Sequence, residues 1–330
     1  MIKWLIRLAL LALLTALVWF SWIVFVPVEP PTSPYAMTIG PNRTLSQVAN
    51  SLKQEGVIKS RDVMVLLARL QGTDRHIKAG LYRFDGTVSL WTILQRFAEG
   101  KPDEASATVV EGWTFHQFRA LLDQNPDVRH DGAGLSDAEI LARIGAGEQQ
   151  PEGLFFPSTY YFTPGASDLE LYRRAYATMQ RKLAEAWQSR SGGLPVSSPY
   201  QLLTLASLVE KETARQEDRT LIAAVFVNRL TKNMRLQTDP SVIYGMGNAY
   251  RGNITKADLR RDTPYNTYTR NGLTPTPIAL PGAAALKAAA HPAASDVLYF
   301  VARGDGSSYF SQTLDEHNDA VRKYILKKGN

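Results

Sequence analysis

The N-terminal end of the chain differs from the rest in its pattern of apolar and polar positions. Residues 8–26 form an uninterrupted run without a charged side chain, and Lys3 and Arg7 precede this run. A helix rises 1.5 Å per residue, so a helix of this length roughly matches the ~30 Å hydrocarbon core of a bilayer. The pattern therefore predicts a transmembrane helix over residues 8–26.

A cleaved signal peptide and a buried helix fit this apolar run less well. A signal peptide has an apolar stretch of only ~7–15 residues and a small-residue cleavage site, which Pro27-Val28-Glu29 does not provide. A buried helix of a soluble protein would show a polar outer face, and this run has none. With Lys3 and Arg7 on the cytoplasmic side, residues 1–7 are a cytoplasmic tail and the body lies outside the inner membrane. Residues 27–36, which contain four prolines, are then an extended linker.

Residues 37–104 have the pattern of short amphipathic helices between extended segments. Apolar residues recur at i, i+3, i+4 and i+7, and Thr44, Ser60 and Ser89 precede them as N-cap residues. The flanking extended segments are residues 37–39 and 81–84. The pattern predicts a small α+β module whose order of elements resembles a LysM-like module. A spacer or a dimerisation domain would have the same local pattern.

Residues 105–330 predict a second, larger α+β unit. Residues 169–187 have the charged pairs of a long helix, and Ser198-Pro199 begins another helix that is apolar nearly all round. Asp218 is the expected N-cap of the helix that follows. The expected C-terminal elements are a strand at residues 297–301, its return at residues 309–310, and a last helix that Thr313 and Glu316 cap.

Composition excludes several kinds of chemistry. The chain of 330 residues is 45% hydrophobic and 21% charged with a net charge of +6, as in ordinary globular proteins, and it contains no Cys. Thiolate metal sites, iron–sulfur clusters, disulfides and cysteine nucleophiles are therefore excluded. The five His lack metal-ligand spacing, and nucleotide-binding and serine-nucleophile motifs are missing, so we expect no metal and no cofactor. The small positive charge without a basic run argues against nucleic-acid binding.

Glu210 is the residue that the pattern favours for chemistry. It shares a helix face with Ala206 and Ser207, at the end of an apolar helix. Loss of hydration there favours the protonated carboxyl, which a general acid near neutral pH requires. The alternatives for this residue are an ion pair with Arg229 and a solvated helix end. Glu212 lies roughly 200° away at ~100° per residue, so the two carboxyls do not form a facing pair.

Neutral polar and aromatic residues are concentrated after this helix, in residues 235–240, 244–247 and 263–268. Such side chains suit a sugar chain, because hydroxyls and acetamides need hydrogen bonds while the ring faces pack on aromatic rings. The other interpretation is that Asn, Thr, Pro and Gly are simply turn residues.

Five ordered motifs carry a resemblance to a known family. They are Ala206-Ser207-Leu208-Val209-Glu210-Lys211-Glu212-Thr213, Val227-Asn228-Arg229-Leu230, Met234-Arg235-Leu236-Gln237-Thr238-Asp239-Pro240, Tyr265-Asn266-Thr267-Tyr268 and Ala288-Ala289-Ala290-His291-Pro292. In this order they resemble the membrane-anchored endolytic murein (peptidoglycan) transglycosylases with a LysM-like module. Ser241 departs from the family's more common Thr after Asp-Pro. The implied fold is α+β: an N-terminal transmembrane helix, a small LysM-like module at residues 37–104 and a catalytic domain at residues 105–330.

The resemblance also implies an activity and its residues. It implies a lyase that cuts the MurNAc-β-1,4-GlcNAc bond within glycan strands and leaves 1,6-anhydro ends, thereby terminating or trimming nascent strands. Glu210 matches the catalytic Glu, first as acid and then as base. The residues that we expect to line the substrate site are Gln237, Asp239, Tyr265, Asn266 and Tyr268. The expected partners are peptidoglycan glycan strands, the inner membrane and cell-wall synthases of the penicillin-binding class.

Two other functions fit the same residues. A muramidase would hydrolyse the same bond, with Asp239 or Glu217 as a second carboxylate that activates water. A non-catalytic glycan-binding scaffold for cell-wall synthases would use the polar loops without any chemistry. The mass of the product distinguishes these functions, because an anhydro product is lighter by one water than a hydrolytic product.

Overall fold

The computed structural model describes residues 2–40, 43–73, 77–78, 80–213 and 215–326. His76, one of the five His considered above, lies outside these residues. The chain divides into two compact units, residues 1–106 with Tyr161–Gly165, and Ala107–Tyr160 with Ala166–Asn330. The fold is α+β, as predicted, with helices and small two-stranded sheets.

The first unit begins with the apolar helix α1, Ile2–Phe25. It is the one helix of the described residues that is long and apolar enough to cross a membrane, with a mean hydropathy of 2.4 over its best window. The helix starts before the predicted residue 8, because the chain from Ile2 to Arg7 contains no Gly or Pro that would end it. Residues 2–7 are therefore helical, and their place on the cytoplasmic side stays a prediction.

The rest of the first unit has the helices and strands that the pattern predicted. The elements are β1 (Tyr35–Ile39), α2 (Leu45–Gln54), α3 (Arg61–Leu70), β2 (Gly80–Phe84) and α4 (Leu90–Ala98). Strands β1 and β2 pair antiparallel, with Met37 opposite Tyr82. Thr44 and Ser89 form capping boxes and Ser60 caps α3, so these three helices begin where their side chains satisfy free N–H groups. Whether this unit is LysM-like stays a prediction.

The predicted linker at residues 27–36 is held against this unit over part of its length. Val28 N donates to Val88 O at 2.7 Å, and Val88 N donates back to Val28 O at 2.9 Å. Ile23, from the last turn of α1, belongs to the same hydrophobic core as Tyr35 and Phe97. The apolar helix thus continues into the module through packed residues, and the role of residues 27–36 as a stiff linker stays a prediction.

The second unit is built around a buried helix. Its helices are α5 (Phe115–Asp123), α6 (Asp137–Ile144), α7 (Asp168–Ser189), α8 (Pro199–Glu212), α9 (Gln216–Thr231), α10 (Asp239–Met246), α11 (Lys256–Arg260), α12 (Ala283–Ala290) and α13 (Leu314–Tyr324), with a 3-10 turn at Gly247–Ala249. Eight consecutive residues of α8, Leu202 to Val209, are buried, as the apolar pattern predicted. Helices α7, α9 and α12 pack around α8.

Small strands complete the chain. They are β3 (Ala105–Thr108), β4 (Val128–Arg129), β5 (Thr159–Phe162), β6 (Ala166–Ser167), β7 (Tyr299–Ala302) and β8 (Ser308–Ser311). Strands β7 and β8 form the expected antiparallel hairpin, with Phe300 opposite Phe310. Thr313 and Glu316 form the predicted capping box of α13.

One predicted cap is wrong. Helix α9 begins at Gln216 with Arg215 at the N-cap, so Asp218 lies in the first turn. Its carboxylate accepts a hydrogen bond from Ser308 N at 2.9 Å, which joins α9 to the C-terminal hairpin. A local pattern cannot show this, because the donor comes from a strand 90 residues later.

Candidate active site

The position of Glu210 follows from the way two loops pack on α8. Ser207, one turn before Glu210, accepts a hydrogen bond from Ile278 N at 3.0 Å. Leu280 N donates to Trp113 O at 2.6 Å, and Gly112 N donates to Leu280 O at 2.9 Å. These bonds bring the segments around residues 112 and 280 together at the C-terminal end of α8.

Two donors hold the Glu210 carboxyl. Arg219 Nη2 donates to Oε1 at 3.1 Å, and Gly282 N donates to Oε2 at 2.8 Å. Only 5% of the Glu210 side chain is exposed. Burial raises the pKa of Glu210, and the Gly282 N–H and the Arg219 charge oppose this rise. The expected loss of hydration is present, and the alternative of an ion pair with a nearby Arg is also met, with Arg219 as the partner in place of Arg229.

A cavity of about 590 Å³ adjoins Glu210. Its other residues include Glu111, Gly112, Trp113, Gln117, Lys211 and Arg219. Lys211 Nζ donates to Gly112 O at 3.2 Å and so closes one side of it. The cavity is therefore lined by three carboxyls (Glu111, Glu210 and Glu212), two cations and an indole ring.

A second cavity, of about 370 Å³, shares Glu212 with the first. Glu212 accepts a hydrogen bond from Thr238 Oγ1, and burial raises its pKa to about 7. Because Glu210 and Glu212 bond to different partners, they do not form a facing pair of carboxyls. Aromatic and polar side chains line the rest of this cavity, among them Tyr299, Phe300 and His317.

Three of the expected substrate residues line the second cavity, namely Gln237, Asp239 and Tyr268. Tyr268 OH donates to Asp239 Oδ1 at 2.5 Å, and Gln237 Oε1 accepts from Arg229 Nη1 at 3.3 Å. Gln237 has a φ of 54°, a left-handed conformation that is uncommon for a residue other than Gly. Residues in such conformations are concentrated at functional sites.

The two other expected residues have different positions. Asn266 is 1% exposed, and its Nδ2 donates to the carbonyl oxygens of Asp258, Leu259 and Arg261. Its side chain organises the loop, so the substrate-lining role that the sequence predicted for Asn266 is not supported by this geometry. The Tyr265 hydroxyl is 3.0 Å from Thr276 Oγ1, also within the loops.

The residues that sequence reasoning missed are Arg219, Glu111 and Gly282. Arg219 lies nine residues after Glu210, in the first turns of α9, where its local sequence does not distinguish it from the other charged residues. Glu111 and Gly282 are separated from Glu210 by long stretches of chain. The role of Gly282 as an N–H donor to Glu210 depends on tertiary structure.

The second carboxylates considered for hydrolysis are separated from Glu210. Glu217 has 75% of its side chain exposed and lies 3.6 Å from Arg215, on the surface. Asp239 lies in the second cavity, bonded to Tyr268. Within the part of the chain that the structure describes, no group of three or more His, Asp or Glu is arranged to hold a metal ion.

The fold places the largely buried Glu210 carboxyl in a cavity that adjoins a second cavity lined by polar and aromatic side chains. Residues 37–323 match the model of the YceG-like family, and the chain belongs to this family. It is 35% identical over 302 residues to an endolytic murein transglycosylase of Bacillus subtilis strain 168, with 86% of this chain and 83% of the relative covered.

Other relatives agree with this family assignment. The chain is 29% identical over 342 residues to an endolytic murein transglycosylase of Streptococcus pneumoniae strain D39, covering 92% of this chain. It spans only 61% of the length of that relative. A crystal structure of a yceG-like protein from Listeria monocytogenes aligns with a TM-score of 0.56 and 28% identity, covering 87% of this chain and 98% of the other.

Proposed function

We propose that this protein is an endolytic peptidoglycan lytic transglycosylase, a lyase that cuts the MurNAc-β-1,4-GlcNAc bond within glycan strands. The observation that carries the proposal is Glu210, a buried carboxyl of raised pKa at the edge of a cavity, in a chain 35% identical to an endolytic murein transglycosylase. A raised pKa favours the protonated form of the carboxyl, which is the form that a general acid requires.

One carboxyl is sufficient for this reaction. Glu210 gives its proton to the glycosidic oxygen as the C1–O bond breaks, and the GlcNAc side leaves as an alcohol. The C6 hydroxyl of the muramyl ring then bonds to C1, and the Glu210 carboxylate takes the hydroxyl proton. The proton returns to Glu210, no water is consumed, and the product ends in a 1,6-anhydro ring.

The two donors on Glu210 suit the second half of this cycle. The Arg219 guanidinium and the Gly282 N–H stabilise the carboxylate that remains after the proton has left. Burial acts in the opposite direction and favours the protonated form before the bond breaks. The site thus stabilises each protonation state with a different part of its surroundings.

The second cavity gives a path for the rest of the glycan strand. It adjoins the Glu210 cavity at Glu212, and Gln237, Asp239 and Tyr268 present an amide, a carboxylate and a hydroxyl to it. Tyr299 adds an aromatic ring on which a sugar face can pack. We propose that sugars beyond the cleaved bond bind here, as cleavage within a strand requires. Neither Glu217 nor Asp239, the second carboxylates considered for a muramidase, lines the Glu210 cavity.

The location of the protein is part of the proposal. We propose that α1 crosses the inner membrane once with Lys3 and Arg7 in the cytoplasm and that the catalytic body is periplasmic. In the first unit, Lys59 Nζ lies 4.0 Å from the Trp22 ring centroid and donates to Trp22 O at 3.1 Å, as suits a helix end at a membrane surface. Cell-wall synthases of the penicillin-binding class are the proposed protein partners, because they produce the strands that this enzyme would cut.

The decisive experiment is digestion of purified glycan strands by the full chain in detergent, with mass analysis of the products. We expect 1,6-anhydro ends. Products heavier by one water would identify a muramidase, and unchanged strands would identify a scaffold.

In the same assay, Glu210→Gln should lower the rate at least about 10²–10⁴-fold, because the amide cannot donate an acidic proton. Glu217→Gln is the matched control: it makes the same change at an exposed position and should keep the wild-type rate. A Glu210→Gln variant with wild-type turnover would contradict the assignment of the acid.

A further inference from the structure

The Arg219 guanidinium lies between two carboxyls. Its Nη2 is 3.1 Å from Glu210 Oε1 and 4.0 Å from Glu111 Oε2. The Arg219 side chain is 11% exposed, and its buried Nε has no hydrogen-bond partner among the described residues. The guanidinium therefore has an N–H group without an acceptor, and the Glu111 carboxylate lies nearby at a distance longer than a hydrogen bond.

Glu111 is also tied to the other donor on Glu210. Its carboxyl packs directly on the Cα of Gly282, so that a Cβ built on Gly282 would overlap it. Gly282 is the residue whose N–H binds Glu210. Both donors that hold Glu210 are thus in contact with Glu111, although 47% of the Glu111 side chain is exposed and available to move.

The proposed reaction makes opposite demands on Glu210. It must hold a proton before the glycosidic bond breaks and must be a stable carboxylate immediately afterwards. A cation fixed permanently on Glu210 would satisfy the second demand and oppose the first. A second carboxylate that attracts the same cation removes this conflict.

Resting on the proposed function, we propose that Glu111 is a positioning residue that competes with Glu210 for Arg219. Arg219 lies against Glu111 while Glu210 carries its proton, and it moves fully onto Glu210 when that carboxyl has donated the proton. The structure has the guanidinium on Glu210, with Glu111 within 4.0 Å, which corresponds to the carboxylate stage.

The charged groups that face Glu210 from each neighbouring element set the sign of the expected effects. Arg219 from α9 and Lys211 from α8 lower the pKa of Glu210, and Glu111 from the segment before α5 raises it. Glu212 adjoins the same cavity but bonds to Thr238 on its other side. Removing the charge of Glu111 should therefore lower the pKa of Glu210 and leave Arg219 bound to it.

The test is the pH dependence of kcat for the full chain in detergent micelles on glycan strands. In Glu111→Gln the acid form of Glu210 is lost at lower pH, so the alkaline limb of the profile should move to lower pH. We expect the ratio of kcat at pH 7.5 to kcat at pH 5.5 to fall about threefold or more. Glu217→Gln should keep the wild-type profile.

Gly282→Ala makes the same test by a steric route. Gly282 has a φ of −81°, which Ala adopts without strain, so the new methyl group displaces the Glu111 carboxyl and changes no charge. It should move the alkaline limb in the same direction as Glu111→Gln. An unmoved limb in both variants would overturn the proposal, as would a loss of activity in Glu111→Gln that is equal at every pH.

A second measurement separates this inference from the proposed function. The ¹³C carboxyl signal of Glu210, identified as the one missing from Glu210→Gln, should titrate at lower pH in Glu111→Gln than in the wild type. This readout needs no substrate. If wild-type protein makes no anhydro product, the proposed function fails, and the titration still decides whether Glu111 controls Glu210. Equal titration in the two proteins refutes the inference even where the activity is as proposed.

Discussion

Glu212→Gln should make the protein more stable at pH 8 and should change its stability much less at pH 5. Glu212 is partly buried at the C-terminal end of α8, where it accepts a hydrogen bond from Thr238 Oγ1. Burial raises its pKa to about 7, and the nearby Asp239 charge adds to this rise. Gln has nearly the same shape and can accept the same hydrogen bond, but it never has to be ionised in this position.

The size of the effect follows from the raised pKa. The folded protein holds the Glu212 proton up to about pH 7, whereas the unfolded chain releases it near the ordinary value of 4.5. The folded state thus binds more protons in this interval, and the free energy of unfolding falls as the pH rises from 4.5 to 7. At 1.36 kcal/mol for each pH unit, the loss is about 3 kcal/mol, complete above pH 7 and absent below pH 4.5.

Thermal unfolding of the full chain in detergent micelles, followed by circular dichroism, measures this effect. At pH 8 the Tm of Glu212→Gln should exceed that of the wild type by about 6–12 °C, since 1 kcal/mol corresponds to about 2–4 °C in a unit of this size. Glu217→Gln, on the surface, should match the wild type at both pH values.

Glu152 should leave a further pH dependence of the same sign in every one of these proteins, because burial raises its pKa to about 7 as well. A Glu212→Gln variant that loses the same stability at pH 5 and pH 8 would refute the reasoning. That result would mean that the hydrogen bond from Thr238 outweighs the burial of the charge.

Two further predictions concern the loops and the anchor. Asn266→Ala should lower the free energy of unfolding by about 2–4 kcal/mol and raise KM, because three carbonyl groups lose their donor and the backbone N–H of Tyr268 loses its acceptor. Asn248→Ala, at an exposed position, is the control and should change neither quantity. An Asn266→Ala protein with wild-type stability and KM would show that other contacts hold the loop. The full chain should sediment with membranes and resist extraction by salt, because a largely apolar helix of 24 residues would hold it in the bilayer. A soluble mature form that begins near residue 30 would instead identify a signal peptide.

The local sequence determined most of the helices and their ends. Thr44, Ser89 and Thr313 each precede an apolar repeat by one residue and have a hydrogen-bonding partner three residues later, so each helix start is specified within four residues. The apolar surface all round α8 likewise required a buried helix, and it placed Glu210 at the buried end of that helix. These features depend only on residues that are close together in the chain, and a sequence pattern shows such residues directly.

The partners of Glu210 were decided only by the tertiary structure. Arg229 and Arg219 lie on the same helix, and the sequence analysis named Arg229 as the candidate partner. The fold directs Arg229 to the carbonyl oxygens of Leu236 and Leu298, and Arg219 bonds to Glu210. The hydrogen bonds of Asn266 to the backbone were not foreseen for a similar reason, because a polar residue in a polar loop has the same local pattern whether it faces a ligand or the backbone. The pairing of donors and acceptors depends on how the loops pack across α8. The Gly282 N–H and the Glu210 carboxylate, for example, are 72 positions apart in the chain, and no sequence periodicity relates residues at such a distance.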